Sequence, residues 1–212
     1  MIFRSVLIVL LAAAVAGIVI FRVRDSNGGD SAPETAAPTG PTPPFGAGPV
    51  PPGLQTFAEF DPPLSIVFDT SWSSEFPPDN DEIALDGPVF LAISRPSMVV
   101  DDETGKFVPI PKDLIAWVGA QKKFDADPPV PTTLGGAPAF RIDATAKEGI
   151  KTLAFNVADA ILVGKGDRMR LIVADVKGTT VTALMIAPPP QFDAAVAAGE
   201  ALLQTLRFEA GS

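Results

Sequence analysis

Sixteen consecutive residues, Val6 to Phe21, carry no polar side chain, and the solvent such a run requires decides where the rest of the chain must sit. As a helix rising about 1.5 Å per residue the run spans roughly 24 Å. Arg4 on one side and Arg22 and Arg24 on the other can snorkel to the headgroups and complete a hydrocarbon core of roughly 30 Å. Eleven of the sixteen are Val, Leu, Ile or Phe, which favours insertion by roughly 3 to 7 kcal/mol as an upper bound, because the scale refers to the bilayer centre. The expectation is a transmembrane signal anchor over residues 1–24 that meets membrane lipid through residues 6–21. Ala14-Val15-Ala16 before Gly17 has the small-residue spacing of a processing site, so a cleaved signal peptide is the competing reading. Cleavage there would strand Ile18 to Phe21 at the new terminus, and an uncleaved anchor accounts better for the whole run. Positive charges on the two sides roughly balance, so the positive-inside rule sets no orientation. The extreme N-terminal position and the polar stretch that follows favour an extracytoplasmic C-terminal part.

From Asp25 to Gly53 the composition changes to Pro, Gly, Ala, Ser and Thr, as in Ala-Pro-Thr-Gly-Pro-Thr-Pro-Pro from Ala37 to Pro44, with no hydrophobic period. Such a segment buries too little to offset its ordering entropy and reads as a disordered linker. Its 29 residues reach roughly 90 Å if polyproline-like throughout, or about 30 Å as a coil. The globular part is then expected over residues 54–212.

Within that part, short β-type runs come first: Leu64 to Phe68, Ile83 to Leu85, Val89 to Ile93 and Met98 to Val100. A helix follows, with Pro111 at its first position, Asp113 complementing the dipole, and Leu114, Trp117, Val118 and Gln121 on one face. Trp117 is then a core anchor. Thr132 to Leu134 and Ala139 to Ile142 flank the Gly135-Gly136 turn. After a less regular stretch, Ile161 to Val163, Met169 to Val176 and Val181 to Ala187 read as an antiparallel meander through Gly164-Lys165-Gly166 and Lys177-Gly178. A helix from Phe192 to Gln204 and a strand from Leu206 to Phe208 close the chain. In Met169 to Val176, Met169, Leu171 and Val173 oppose Ile172, Ala174 and Val176. In Val181 to Ala187, Val181, Ala183 and Met185 oppose Leu184 and Ile186. Both faces are apolar, so the sheet must be covered on each side, and Phe192, Val196, Gly199, Leu202 and Leu203 of the last helix supply one cover. The expected fold class is α/β (α+β): a three-layer α/β/α sandwich with a mainly antiparallel sheet.

That order of elements resembles a known family. A strand into a Trp-containing turn (Ser65 to Trp72), an acidic stretch into a hairpin, the helix Pro111 to Trp117, Gly135-Gly136-Ala137-Pro138, a meander, then Phe192 to Phe208 as helix plus strand are similar to the PsbP-like α/β/α sandwich. The group includes photosystem extrinsic subunits, Ran-binding Mog-type factors and actinobacterial envelope proteins of the LpqN type. The resemblance spans roughly Glu59 to Phe208 and implies a binding or assembly module rather than an enzyme. It transfers no ligand residue. The chain departs from the LpqN pattern in having no lipid-accepting cysteine, a job its anchor would do with a helix.

The residues themselves limit the chemistry. There is no histidine, cysteine or tyrosine, which excludes a Ser-His-Asp triad, histidine-based zinc or iron sites, thiolate metal sites and disulfides. No Ser-x-x-Lys occurs. Carboxylate catalysis remains open to Asp79, Asp81, Glu82, Asp101, Asp102 and Glu103, although a solvated loop is the simpler reading of these residues. Asp79-Asn80-Asp81-Glu82 also offers oxygen ligands for calcium, but Ile83 and Ala84 occupy positions where an EF-hand loop needs a ligand and its glycine. No cofactor or metal is expected. Residues 54–105 hold 11 acidic side chains against Arg95, whereas residues 106–212 hold 11 against 12 basic ones. An acidity so localised, if gathered on one edge, repels nucleic acid and suits a basic partner or cations. Trp72 and Phe76 are large apolar groups inside this acidic connection. Either Trp72 tucks under the loop and pins it to the sheet, or Trp72 and Phe76, with Asp79, Asp81 and Glu82 nearby, contact a ligand or partner.

The combined expectation is a single-pass cell-membrane protein whose extracytoplasmic domain is a non-enzymatic binding or assembly module for a protein or amphiphilic ligand. An envelope hydrolase relying on carboxylates and a structural subunit of a membrane complex are the alternatives. Carboxylates of raised pKa clustered in a deep cleft favour the enzyme, and a shallow apolar groove or exposed patch favours binding. The full chain is expected to stay in the membrane pellet through an alkaline carbonate wash, and its release as a soluble species would remove the anchor.

Overall fold

The computed structural model describes residues 44–209 apart from 75, 102, 103, 149, 157 and 158. The expected anchor and most of the expected linker lie outside them; among the described residues no helix is long and apolar enough to cross a membrane. The packed domain begins earlier than the expected boundary at Leu54. Phe45 and Val50 are buried in the core, and the Phe45 ring meets Phe57 and Phe68 edge-on, with centroids 5.7 and 5.9 Å away. These apolar residues stand singly among Pro and Gly and are inserted one at a time into a core built by later strands, so no period announces them.

The elements in chain order are β1 (Gly48–Pro49), β2 (Gly53–Phe57), β3 (Leu64–Phe68), β4 (Ser73–Ser74), β5 (Glu82–Leu85), β6 (Phe90–Ser94), β7 (Met98–Val100), β8 (Phe107–Pro109), α1 (Leu114–Ala120), β9 (Phe124–Ala126), β10 (Val130–Leu134), β11 (Ala137–Ala146), β12 (Ile150–Asn156), β13 (Asp159–Val163), β14 (Arg168–Val176), β15 (Thr179–Ala187), α2 (Phe192–Leu203) and β16 (Arg207–Phe208). The central sheet runs β10-β11-β14-β15-β6-β5, with β9 on the same side of β11 as β10, and every pairing is antiparallel. Its longest ladder, β14 with β15, turns through Lys177 and Gly178, whose φ of 57° and 87° suit a two-residue turn of the right twist for a hairpin.

The two apolar faces of β14 and β15 divide the interior. Ile172, Ala174, Val181, Ala183 and Met185 join one core with Phe192, Val196, Leu202 and Leu203 of α2, the small sheet β16-β3-β2, Phe45 and Trp72. Met169, Leu171, Leu184 and Ile186 join a second core with Leu114 and Val118 of α1, Val99 of β7 and Ile161 and Val163 of β13. Each fully buried Leu, Ile or Phe contributes about 1.5 to 3 kcal/mol. A helix therefore covers each face, as expected, but neither outer layer is purely helical. With only seven residues, α1 covers little of its face, and the hairpins β7-β8 and β12-β13 share that side.

Three local expectations change. The first helix starts later: Asp113 is its cap, accepting the Ala116 amide at 2.9 Å, and Pro111 lies before the cap. Trp117 is half-buried against the second core rather than enclosed by it. Residues 150–156 form a strand that the sequence pattern hides, because β12 pairs with β13 through two register shifts that break the alternation. Consequently β13 does not continue the meander, and Gly164-Lys165-Gly166 carries the chain from one sheet to another.

The Gly135-Gly136 turn between β10 and β11 has positive φ at both residues, 58° and 87°. A Cβ on Gly135 would collide with Leu206 and stand 2.7 Å from the Phe208 ring, whereas one on Gly136 would meet nothing. Gly136→Ala is expected to cost about 1 kcal/mol of left-handed strain. Gly135→Ala should cost a further ~1 to 3 kcal/mol of overpacking against β16. Urea midpoints of the two variants measure the difference, and equal losses would contradict the contact.

Candidate functional site

The acidic candidates are held by local structure. Asp79 accepts the backbone amides of Asp81 and Glu82 on one oxygen, Oδ1, at 2.8 and 2.7 Å, which fixes the turn into β5. Arg95, just after β6, donates from Nη2 and Nε to Asp81 Oδ1 at 2.6 and 3.0 Å and from Nη1 to Asp61 Oδ2 at 2.8 Å. Glu82 is buried. Asp101 accepts the amide and hydroxyl of Thr104 in its own turn, while residues 102 and 103 lie outside the described ones. The structure thus gathers Asp61 and Asp81 around the one arginine of the acidic half. Among the described residues no three acidic side chains are grouped so as to hold a metal ion.

Trp72 takes the first of its two expected positions. It is 3% exposed, its ring lies against Gly87, and its carbonyl accepts the Val50 amide at 2.9 Å. Phe76 is half-buried nearby, and its carbonyl accepts the Ser74 hydroxyl.

Two depressions elsewhere, neither singled out by the sequence pattern, have the dimensions of binding sites. The first is an apolar groove of about 740 Å³ on the α1 face of the sheet. The short α1 reaches Ile142 through Gly119 and leaves Phe140, two residues along the same face of β11, 52% exposed. Val173, opposite Phe140 in register on β14, continues the apolar floor. Leu114, Ile115, Pro129 and Pro138 complete the lining. The rim is of mixed charge: Lys112, Asp113 capping α1, and Asp175, which accepts the Gly178 amide at 2.7 Å. The sequence signal was present but ambiguous, since a Phe alternating with Arg141 along a strand reads equally well as an ordinary core position.

The second is a polar cleft of about 480 Å³ between the β10–β11 turn and the C-terminal end of α2, with Ile172 in its lining. Behind it lies a network of ions. Arg170 grips both oxygens of Asp143 from Nε and Nη2, at 2.7 and 2.6 Å, and reaches Glu200 Oε1 from Nη1 at 2.6 Å. The bonds to Asp143 dominate, and they raise the Arg170 pKa still further against the opposing effect of burial. Arg141 shares Glu200 Oε1 at 3.3 Å. Arg168 stacks over Phe192, 4.3 Å from the ring centroid.

Asp167, in the turn before β14, has its carboxyl raised above the ordinary value by burial, opposed by a hydrogen bond from the Gly164 backbone. It lines neither depression.

No protein-family model matches this chain, and no curated protein does. Among solved structures, the solution structure of cyanobacterial PsbP (CyanoP) from Synechocystis sp. PCC 6803 is similar, with a TM-score of 0.40 and 8% identity over 83% of this chain and 98% of that one. A likeness this loose carries no residue, ligand or partner across.

Because folding raises the proton affinity of Asp167, its contribution to stability is fully present below the ordinary value of 3.8 and is lost as pH rises through its folded-state value. Asp167→Asn is therefore expected to raise Tm relative to the parent at about pH 7 and to lose that advantage at about pH 3. Thermal melts at the two pH values test this, and a gap that does not change with pH would count against it.

Proposed function

We propose that this chain is a non-catalytic binding or assembly module, held on the outer side of a membrane by residues 6–21, and that its apolar groove receives an apolar segment of a partner protein. The observation that carries the reading is Phe140, half exposed over an apolar floor and ringed by Lys112, Asp113 and Asp175. An apolar centre with a polar rim is the anatomy of a protein contact, and the volume lies in the range of binding clefts. A hydrolase is less well supported. Asp79, Asp81 and Asp101 are engaged in turns or with Arg95, and the carboxyl that burial raises, Asp167, lines neither cleft. Under this reading the chain fits the envelope branch of the PsbP-like resemblance, with a helical anchor in place of a lipid-modified cysteine.

A photoreactive phenylalanine analogue at position 140 of the full chain in its native membrane, compared with one at Val67, tests the proposal. Val67 is 45% exposed on β3, away from the groove. The expected result is one discrete protein adduct from position 140, absent from position 67 and lost when Val173→Asp is added. Equal adducts from both positions, no adduct from 140, or an adduct with lipid alone would overturn it.

A further inference from the structure

The polar cleft at the end of α2 has a charge pattern of its own. Three guanidiniums, Arg141, Arg170 and Arg207, stand against two carboxylates, Asp143 and Glu200, so the cluster keeps one positive charge. The geometry places it on the two arginines that line the cleft, Arg141 and Arg207, rather than on Arg170. Arg170 is taken up by both oxygens of Asp143 and by Glu200 Oε1, and its side chain is 13% exposed. Arg207 meets no carboxylate among the described residues, and its Nη1 lies on the carbonyls of Gln204 and Leu206 at the end of α2, where the helix dipole offsets part of its charge. Among the described residues Arg141 is left with a single long bond, 3.3 Å to an oxygen that Arg170 already holds at 2.6 Å, and its side chain is 35% exposed to the cleft. Its remaining donors form the planar fork that carboxylates and phosphates accept.

The other lining groups are suited to hydroxyls. Thr132, on the same face of the sheet as Arg141, borders the cleft with its hydroxyl, and Glu200 spends Oε1 on the two arginines, which leaves Oε2 to accept from a ligand. We propose that this cleft binds a small polyhydroxylated monoanion, with Arg141 gripping the anionic head and Glu200 and Thr132 taking its hydroxyls. One negative charge completes the cluster. A second would be unpaired beside Glu200 and the carbonyl end of α2, so a monoanion is favoured over a dianion. The volume of about 480 Å³ suits a ligand of monosaccharide size or somewhat larger. Sugar acids and the glycerol phosphodiester of a lipid headgroup share this chemistry. The site is separate from the apolar groove and does not depend on a partner there.

Isothermal titration of the full chain in mild detergent with glucuronate, with glycerophosphoglycerol and with glucose tests the assignment. At least one of the two monoanions is expected to bind in the millimolar range or tighter, and glucose at least about tenfold more weakly, as loss of a charge-assisted fork implies. Whichever monoanion binds identifies the source as a free sugar acid or a headgroup. Arg141→Gln should weaken binding at least about tenfold, with the melting curve showing that the fold is kept. Thr132→Val, which leaves the ion network intact, should weaken it by a smaller factor and serves if Arg141→Gln does not fold. Failure of both monoanions to bind, glucose binding as well as they do, or undiminished binding by the folded variants would overturn the proposal.

Discussion

The constraint on which the rest of the domain depends is that β14 and β15 are apolar on both sides. A sheet whose centre is wet on either face would expose Ile172 and Val181 or Leu171 and Leu184, all of which are buried here. Neither strand can be satisfied by one partner layer, so chain segments far apart in sequence are drawn over each face. The α2 face receives a twelve-residue helix, the small sheet β16-β3-β2 and the entering segment around Phe45. The opposite face receives a seven-residue helix and two hairpins.

That inequality explains where the depressions lie. On the α1 side the cover runs out at Ile142, and Phe140 and Val173 of the same sheet face are left beside an open groove. On the α2 side the helix crosses a part of the sheet where Arg168, Arg170, Arg141 and Asp143 replace apolar residues on the inward-facing side. An ion network with hydrogen bonds on both carboxylates makes that replacement tolerable, since desolvated charges need partners in good geometry. The polar cleft opens where the network reaches the sheet margin. Both depressions are therefore by-products of how far each cover extends.

Much of this layout can be read from residue order. The alternation in Met169 to Val176 and Val181 to Ala187 reports both cores, and the five residues on the apolar face of the last helix are all buried. Trp72 is legible as a choice between two positions, and only packing against Gly87 selects one. What stays hidden has a physical reason in each case. Strand β12 is masked by bulges. Phe45 and Val50 have no periodic neighbours to announce them. The groove arises from the absence of a helix turn over Phe140, and an absence of cover leaves no mark on the covered strand. The ion network joins residues 143, 170 and 200 across two strands and a helix, separations at which no local spacing operates.

If the domain hangs from its N-terminal side, as proposed, the burial of Phe45 has a mechanical consequence. A load applied there reaches the fold through the Phe45 ring, the two-residue ladder of β1 with β4 and the Val50 amide on the Trp72 carbonyl before it meets any long ladder. These few contacts form a weak link ahead of the central sheet. Under tension the segment from Phe45 to Val50 would peel away first, while the layered body and both of its clefts kept their shape.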